Sequence, residues 1–125
     1  MNVLILGKGY IGSYLNERLK TIASVDFESK KWFNYTDVNI LAKRLLYRQS
    51  PTGRPGNVAK YDYVINCSGF TGRPNVDQAE EKKDLCYELN TFAPLRISNM
   101  CKLYGINYIH ISSGCIYNGY EKQYT

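Results

Sequence analysis

The stretch Val3-Leu4-Ile5-Leu6-Gly7-Lys8-Gly9-Tyr10-Ile11-Gly12 decides the fold of this 125-residue chain. Its first four residues form a continuous apolar run, the pattern of a central parallel strand covered by helices on both faces. The glycines follow at once, and then Ile11, Tyr14, Leu15, Leu19 and Ile22 recur at helical spacing through about residue 21. The reading is strand, glycine turn, helix. With Asp26 nineteen residues after Gly7, this Gly-x-Gly-x-x-Gly meets the requirements of a dinucleotide fingerprint. Gly7 permits the tight turn, Gly9 lets backbone N–H groups approach a pyrophosphate, and Gly12 lets the helix pack close to the strand. Tyr10 and Ile11 share that turn and are counted with the glycines as cofactor-binding positions.

Outward from this unit, Ser24 to Phe27 reads as a second strand and Trp32 to Tyr35 as a short third. A helix is predicted from Val38 to Tyr47, N-capped by Thr36 or Asp37, with Ile40, Leu41, Leu45 and Leu46 on one side. Residues 50 to 57 carry Pro51, Gly53, Pro55 and Gly56 and form the clearest loop. Tyr63 to Cys67 is the fourth strand, and a second loop, Ser68 to Asn75, precedes a polar helix from about Val76. Pro94 marks a kink or a new first turn, after which Leu95, Ile97, Met100, Cys101 and Leu103 lead to a stop at Gly105. Tyr108 to Ile111 is the fifth strand. Strands and helices alternating at this spacing predict an α/β fold: one Rossmann-like, doubly wound parallel sheet of about five strands.

Composition narrows the setting. A hydrophobic fraction of 44% suits a folded domain with a real core. The apolar run near the start is too short for a signal peptide, and no stretch approaches the roughly 20 residues a bilayer span needs. A cytoplasmic protein with no membrane partner is therefore expected. Cys67, Cys86, Cys101 and Cys115 form no C-x-x-C pair, and the single histidine, His110, is read as buried in a strand, so no metal site is expected. The net charge of +5 is scattered along amphipathic segments, which argues against a nucleic-acid partner and suits a diphosphate-bearing cofactor and substrate.

The residue types at the strand ends leave the cofactor's form open. Asp26 would accept hydrogen bonds from the adenosine ribose and favour NAD, whereas Lys30 and Lys31 would attract a 2′-phosphate and favour NADP. Asp37 and Val38 sit where an adenine edge would meet a carboxylate and a backbone N–H; Asp37 as a plain helix cap reads equally well. Asn66, Cys67, Ser68 and Gly69 close the fourth strand with small side chains, against which a nicotinamide would lie.

From Val64 through Asn66-Cys67-Ser68-Gly69-Phe70-Thr71-Gly72-Arg73-Pro74-Asn75-Val76-Asp77-Gln78-Ala79-Glu80 the chain resembles the extended short-chain dehydrogenase/reductase (NAD-dependent epimerase/dehydratase) family. The similarity is to its rhamnose-forming branch, the nucleotide-sugar 3,5-epimerase/4-reductases and dTDP-4-dehydrorhamnose reductases. Asn90 followed by Ala93-Pro94 is similar to that family's N-x-x-A-P, and Ile111-Ser112-Ser113-Gly114-Cys115-Ile116-Tyr117 extends the match.

The resemblance implies an NAD(P)-binding domain over residues 1–125, the N-terminal half of such an enzyme without its substrate domain, acting on a 4-keto-6-deoxyhexose nucleotide. Asn90 would join the cofactor site, and Thr71 and Arg73 would meet the substrate. Ser113 would donate a hydrogen bond to the sugar 4-oxygen, and Cys115 would exchange protons at C3 and C5. The chemistry suits the thiol, because those protons flank a ketone and a thiol titrates near neutral pH. Two departures matter. The family usually writes its glycine turn with one more residue between the first two glycines, and no tyrosine in this chain has the lysine four positions on that the family uses to protonate the 4-oxygen. The chain alone is therefore expected to lack reductase turnover, with a homodimer expected of a full-length form. The alternatives are a stand-alone nucleotide-binding regulatory module, which would not need Ser113 and Cys115, and another sugar-nucleotide epimerase or dehydratase of the same family.

Overall fold

The structure, a computed structural model, describes residues 1–31, 33–47, 58–70 and 78–112. In chain order these form β1 (Asn2–Leu6), α1 (Tyr10–Leu19), β2 (Ser24–Glu28), α2 (Val38–Leu45), β3 (Leu46–Tyr47), β4 (Val58–Ala59), β5 (Tyr63–Asn66), α3 (Gln78–Glu81) and α4 (Lys83–Tyr87). A π-helical turn (Glu88–Phe92), α5 (Ala93–Leu103) and β6 (Asn107–His110) complete them.

The main sheet runs β2-β1-β5-β6 with every pair parallel. Alternation along β1 separates two cores. Val3 and Ile5 pack with Val25, Phe27 and Ile65 beneath Leu15 and Leu19 of α1. Leu4 and Leu6 join Val64 beneath Leu41 and Leu45 of α2 and Ile97 and Cys101 of α5. The sheet is thus covered on both faces, as the unbroken apolar run of β1 requires, since each fully buried aliphatic side chain contributes about 1.5–3 kcal/mol. From β1 the chain moves outward to β2 on one side and returns to β5 on the other. The strand order reverses between β1 and β5, the place where open α/β sheets bind ligands.

Several expectations need correction. The third strand is not formed: Phe33 to Tyr35 closes a turn in which Phe33 N–H bonds to Ser29 at 3.0 Å and Tyr35 N–H to Phe33 at 2.9 Å, so its donors are spent locally. The parallel sheet therefore holds four described strands. Helix α2 ends earlier than expected because Leu46 turns extended, and β3 pairs antiparallel with β4 in a separate two-stranded sheet that the sequence did not announce. On α1 only Leu15 and Leu19 of the apolar stripe join the core; Ile11, Tyr14 and Ile22 are exposed. His110 is exposed rather than buried, because β6 is the outer described strand and offers most of its side chains to solvent.

The helix after β5 is not continuous. Pro94 has no N–H to offer the carbonyl of Asn90, and the turn before it widens, Ala93 N–H bonding back to Glu88. Gly105 ends α5 with φ of 70°, and Ile106 N–H closes the helix end on Cys101 at 2.8 Å, the stop expected from the sequence.

Candidate functional site

The glycine turn forms as its spacing demands. Gly7 has φ of 101°, and a Cβ there would lie 2.7 Å from the backbone nitrogen of Ser68. A Cβ on Gly12 would lie 2.0 Å from the Gly7 carbonyl oxygen, so α1 seats directly on the turn. Gly9 differs: its φ of −86° suits any residue and a Cβ would meet nothing within 4 Å. It faces open space at the head of α1. The N–H groups of Tyr10, Ile11 and Gly12 precede the first intrahelical bond, Ser13 N–H to Gly9 at 3.0 Å, and Gly9 as N-cap has no side chain to satisfy them. No acid occupies the first turn of α1. Donors with no partner among the described residues, the positive end of a helix and clear space together suit an anion.

Across the switch point, the residues that end β5 are locked by side chains. Asn66 is fully buried; its Oδ1 accepts from Ser68 N–H at 3.0 Å and from the Ser68 hydroxyl, and its Nδ2 donates to the Tyr108 hydroxyl at 3.1 Å. The Ser68 hydroxyl also meets the hydroxyl of the buried Tyr35. Burial raises both tyrosine hydroxyls above their ordinary range, with the hydrogen bonds to Ser68 and Asn66 acting the other way. Neither ionises near neutral pH. A little further on, Asn90 on the π-helical turn clamps Phe70, accepting its N–H at 2.7 Å and donating to its carbonyl at 2.8 Å. Gly69 allows this approach, since a Cβ there would come within 3.1 Å of Asn90 Oδ1. A groove of about 410 Å³ opens beside Asn90, lined by Lys83, Cys86 and Tyr87.

Burial also pushes up the thiols, Cys67 upward and Cys101 to about 12, so both behave as apolar filler at neutral pH. Among the described residues no cluster of His, Cys, Asp or Glu could hold a metal, and no helix is long and apolar enough to cross a membrane.

The structure thus brings Gly7, Gly9, Tyr10, Ile11 and Gly12 together with Asn66, Cys67, Ser68 and Gly69 at one crevice, with Asn90 behind the second group. Asp37 is the N-cap of α2, accepting from Asn39 N–H at 2.9 Å and Ile40 N–H at 3.1 Å, and Val38 opens the helix exposed. Asp26 lies mid-strand opposite Leu4, its carboxylate bonded to the Tyr61 hydroxyl. The acid at the carboxyl end of β2 is Glu28, opposite Leu6, and its carbonyl accepts the Gly7 N–H at 2.9 Å. Sequence spacing missed it because a separation of roughly 20 residues admits both acids. Tyr35 and Tyr108 were also missed as members of the β5 network. Thr71, Arg73, Ser113 and Cys115 lie outside the described residues.

A parallel sheet clothed on both faces, with a glycine turn and a strand-end loop meeting where the strand order reverses, defines a Rossmann-type α/β domain. Within that class, the chain belongs to the family described as RmlD substrate binding domain, which it matches over residues 1–125. It is 32% identical to the bifunctional dTDP-4-dehydrorhamnose 3,5-epimerase/dTDP-4-dehydrorhamnose reductase of Arabidopsis thaliana, over 93% of this chain and 35% of that protein. The fold is similar to that of the L780 UDP-rhamnose synthase from Acanthamoeba polyphaga mimivirus, with a TM-score of 0.77 and 25% identity over 95% of this chain and 39% of that one. A dTDP-4-dehydrorhamnose reductase from Bacillus anthracis, solved in complex with NADP, shares the fold at a TM-score of 0.65 and 24% identity, covering 86% and 34%. The chain spans about a third of the length of the Arabidopsis relative. The rhamnose-forming branch expected from the sequence is the branch matched.

Proposed function

We propose that this chain is the NAD(P)-binding part of a nucleotide-sugar epimerase/reductase acting on a 4-keto-6-deoxyhexose nucleotide. The observation that carries the reading is the uncapped head of α1 facing clear space at Gly9, at the switch point of the sheet. It fits a dinucleotide pyrophosphate: the N–H groups of Tyr10, Ile11 and Gly12 supply the donors, and no acidic side chain in that turn opposes the charge. Asn66 and Asn90 act one step back. Both are spent on neighbouring backbone and side-chain groups, so they hold the Ser68–Phe70 loop in place for the nicotinamide half rather than contact it.

Bound there, the dinucleotide supplies the hydride for reduction of the sugar ketone. The chain's own residues supply part of the remaining chemistry. Ser113 donates a hydrogen bond to the sugar 4-oxygen and Cys115 exchanges protons at C3 and C5, while Thr71 and Arg73 meet the substrate and its diphosphate. The relatives' names support this assignment of sugar class.

The experiment is a titration of the 125-residue chain with NADPH and with NADH, followed by nicotinamide fluorescence. Saturable binding of at least one of them is expected, without oxidation when a UDP- or dTDP-4-keto-6-deoxyhexose is added. No binding of either dinucleotide overturns the cofactor reading, and turnover by the chain alone overturns its description as a part.

A further inference from the structure

The amino end of the sheet, away from the glycine turn, holds a second and polar cavity. It measures about 230 Å³ and is lined by Asn2, Ser24, Asp26, Lys60 and Tyr61. Asn2 and Ser24 open β1 and β2 as register partners, and Asp26, two positions along β2, shares the face of Ser24. The opposite wall is tied down by backbone groups. Lys60 N–H bonds to the Leu45 carbonyl at 2.7 Å, Asp62 N–H to the Asn2 carbonyl at 2.8 Å, and Asn2 N–H to the Asp62 carboxylate at 2.7 Å. Strand register and the end of α2 thus set the shape of the cavity.

Inside it Asp26 and Lys60 form an open ion pair. Lys60 Nζ lies 3.8 Å from Asp26 Oδ2, beyond hydrogen-bond reach, and 5.4 Å from the centre of the Tyr61 ring. The Lys60 and Asp26 side chains stay 36% and 41% exposed, so both are accessible from the cavity. Tyr61 donates its hydroxyl to Asp26, and burial together with that bond raises the hydroxyl above its ordinary range, so it remains a donor. Among the described residues the Lys60 ammonium, the Ser24 hydroxyl and the Asn2 side-chain amide have no hydrogen-bond partner. Charge is balanced, since Lys60 and Arg44 offset Asp26 and Glu28. Such a set does not select an ion; it offers donors and an acceptor side by side. A hydroxyl fits an open ion pair because it donates to the carboxylate and accepts from the ammonium at once, and an oxygen about 2.8 Å from each spans the gap. We propose that this cavity binds a neutral polyol, one sugar ring, at a site separate from the dinucleotide crevice. One hydroxyl anchors between Asp26 and Lys60, and its neighbours meet Ser24 and Asn2.

The test follows backbone amide NMR shifts of the 125-residue chain during titration with methyl α-glucoside, a neutral sugar. Inorganic phosphate serves as the charged comparison and NADPH as the marker of the other site. Saturable shifts are expected at Asn2, Ser24, Asp26, Lys60 and Tyr61, with a dissociation constant of about 1–10 mM, the order that a few hydrogen bonds give. Lys60→Met is expected to weaken the glucoside about tenfold, as loss of a charge-assisted hydrogen bond does, and Ser24→Ala about threefold. NADPH affinity should stay within about twofold in both variants, since neither side chain reaches the carboxyl end of the sheet. Ser24→Ala carries the test if Lys60→Met fails to fold. The proposal is overturned by the absence of saturable shifts, by shifts that fall on the glycine turn and vanish when NADPH is added, or by equal glucoside affinity in all three proteins. Phosphate binding more tightly than the sugar at the same residues would make this an anion site and overturn the polyol assignment.

Discussion

The turns that follow β1 and β5 meet at one crevice and are built in opposite ways. The first works by absence: Gly7 and Gly12 leave out side chains so that backbone can touch backbone, and Gly9 leaves room for something else. The second works by saturation. Asn66, Ser68, Tyr108, Tyr35 and Asn90 spend their polar groups on one another and on the chain, leaving a rigid floor. On the proposed reading, a cradle for a charged group keeps its donors free, whereas a wall for the nicotinamide ring is held in fixed shape by side chains that are already bonded. The difference teaches that two halves of one site can be recognised by opposite signs: unspent N–H groups in one, fully spent side chains in the other.

The comparison breaks most easily at Gly12. Its replacement by alanine puts a methyl group 2.0 Å from the Gly7 carbonyl oxygen, and the helix must lift off the turn. A loss of about 3 kcal/mol or more is expected in urea denaturation. Near-normal stability would mean that α1 is not seated on the turn at all.

Next in size is Asn66→Ala, which strips the Ser68 N–H and the Tyr108 hydroxyl of a buried partner at once. About 2 kcal/mol is expected to go, read from the same denaturation curves. If the variant instead matches Asn66→Asp in stability, the network is not what fixes the β5 turn.

A smaller and graded effect belongs to pH. Burial raises the hydroxyls of Tyr35 and Tyr108, so the folded chain holds protons that the unfolded chain gives up first. Their contribution is whole below roughly pH 10 and falls as pH rises beyond it. The urea midpoint should decline on the alkaline side, and Tyr35→Phe and Tyr108→Phe should each flatten that decline. An identical slope in the phenylalanine variants would mean that the two buried hydroxyls of the β5 network do not set it.

The least change in stability is expected at Gly9. A serine there fits the open space and can cap α1, so stability should hold or rise by a few tenths of a kcal/mol, roughly the difference between these N-caps. Dinucleotide affinity should nevertheless fall at least about tenfold, because the serine oxygen takes donors that the pyrophosphate needs. Unchanged affinity would place the anion elsewhere.

How much of this was legible follows from distance along the chain. The glycine turn, the apolar run of β1, the new first turn at Pro94 and the stop at Gly105 lie within a few residues of what they control, and each formed as read. Expectations that needed pairing partners fared worse. Trp32 to Tyr35 carries strand-forming residues, yet Phe33 to Tyr35 folds back on its own loop, while two-residue strands at Leu46 and Val58 found each other. Asp26 and Glu28 satisfy one spacing, and only the register of β2 against β1 tells which of them reaches the strand end. Asn66 drew attention as a small polar residue at a strand end, but its partner Tyr108 is 42 positions away.

The sequence by itself determined the α/β class, the strand-turn-helix unit that opens it and the family to which the chain belongs, because each rests on local periodicity, glycine geometry or a contiguous motif. Tertiary structure alone decided which acid ends β2, that Arg44 sits upon it, and that Asn66 and Asn90 brace the floor of the crevice. Those outcomes depend on strand register and on which helix face settles over which strand. Both are fixed by burial of side chains far apart in the chain, which no local pattern contains.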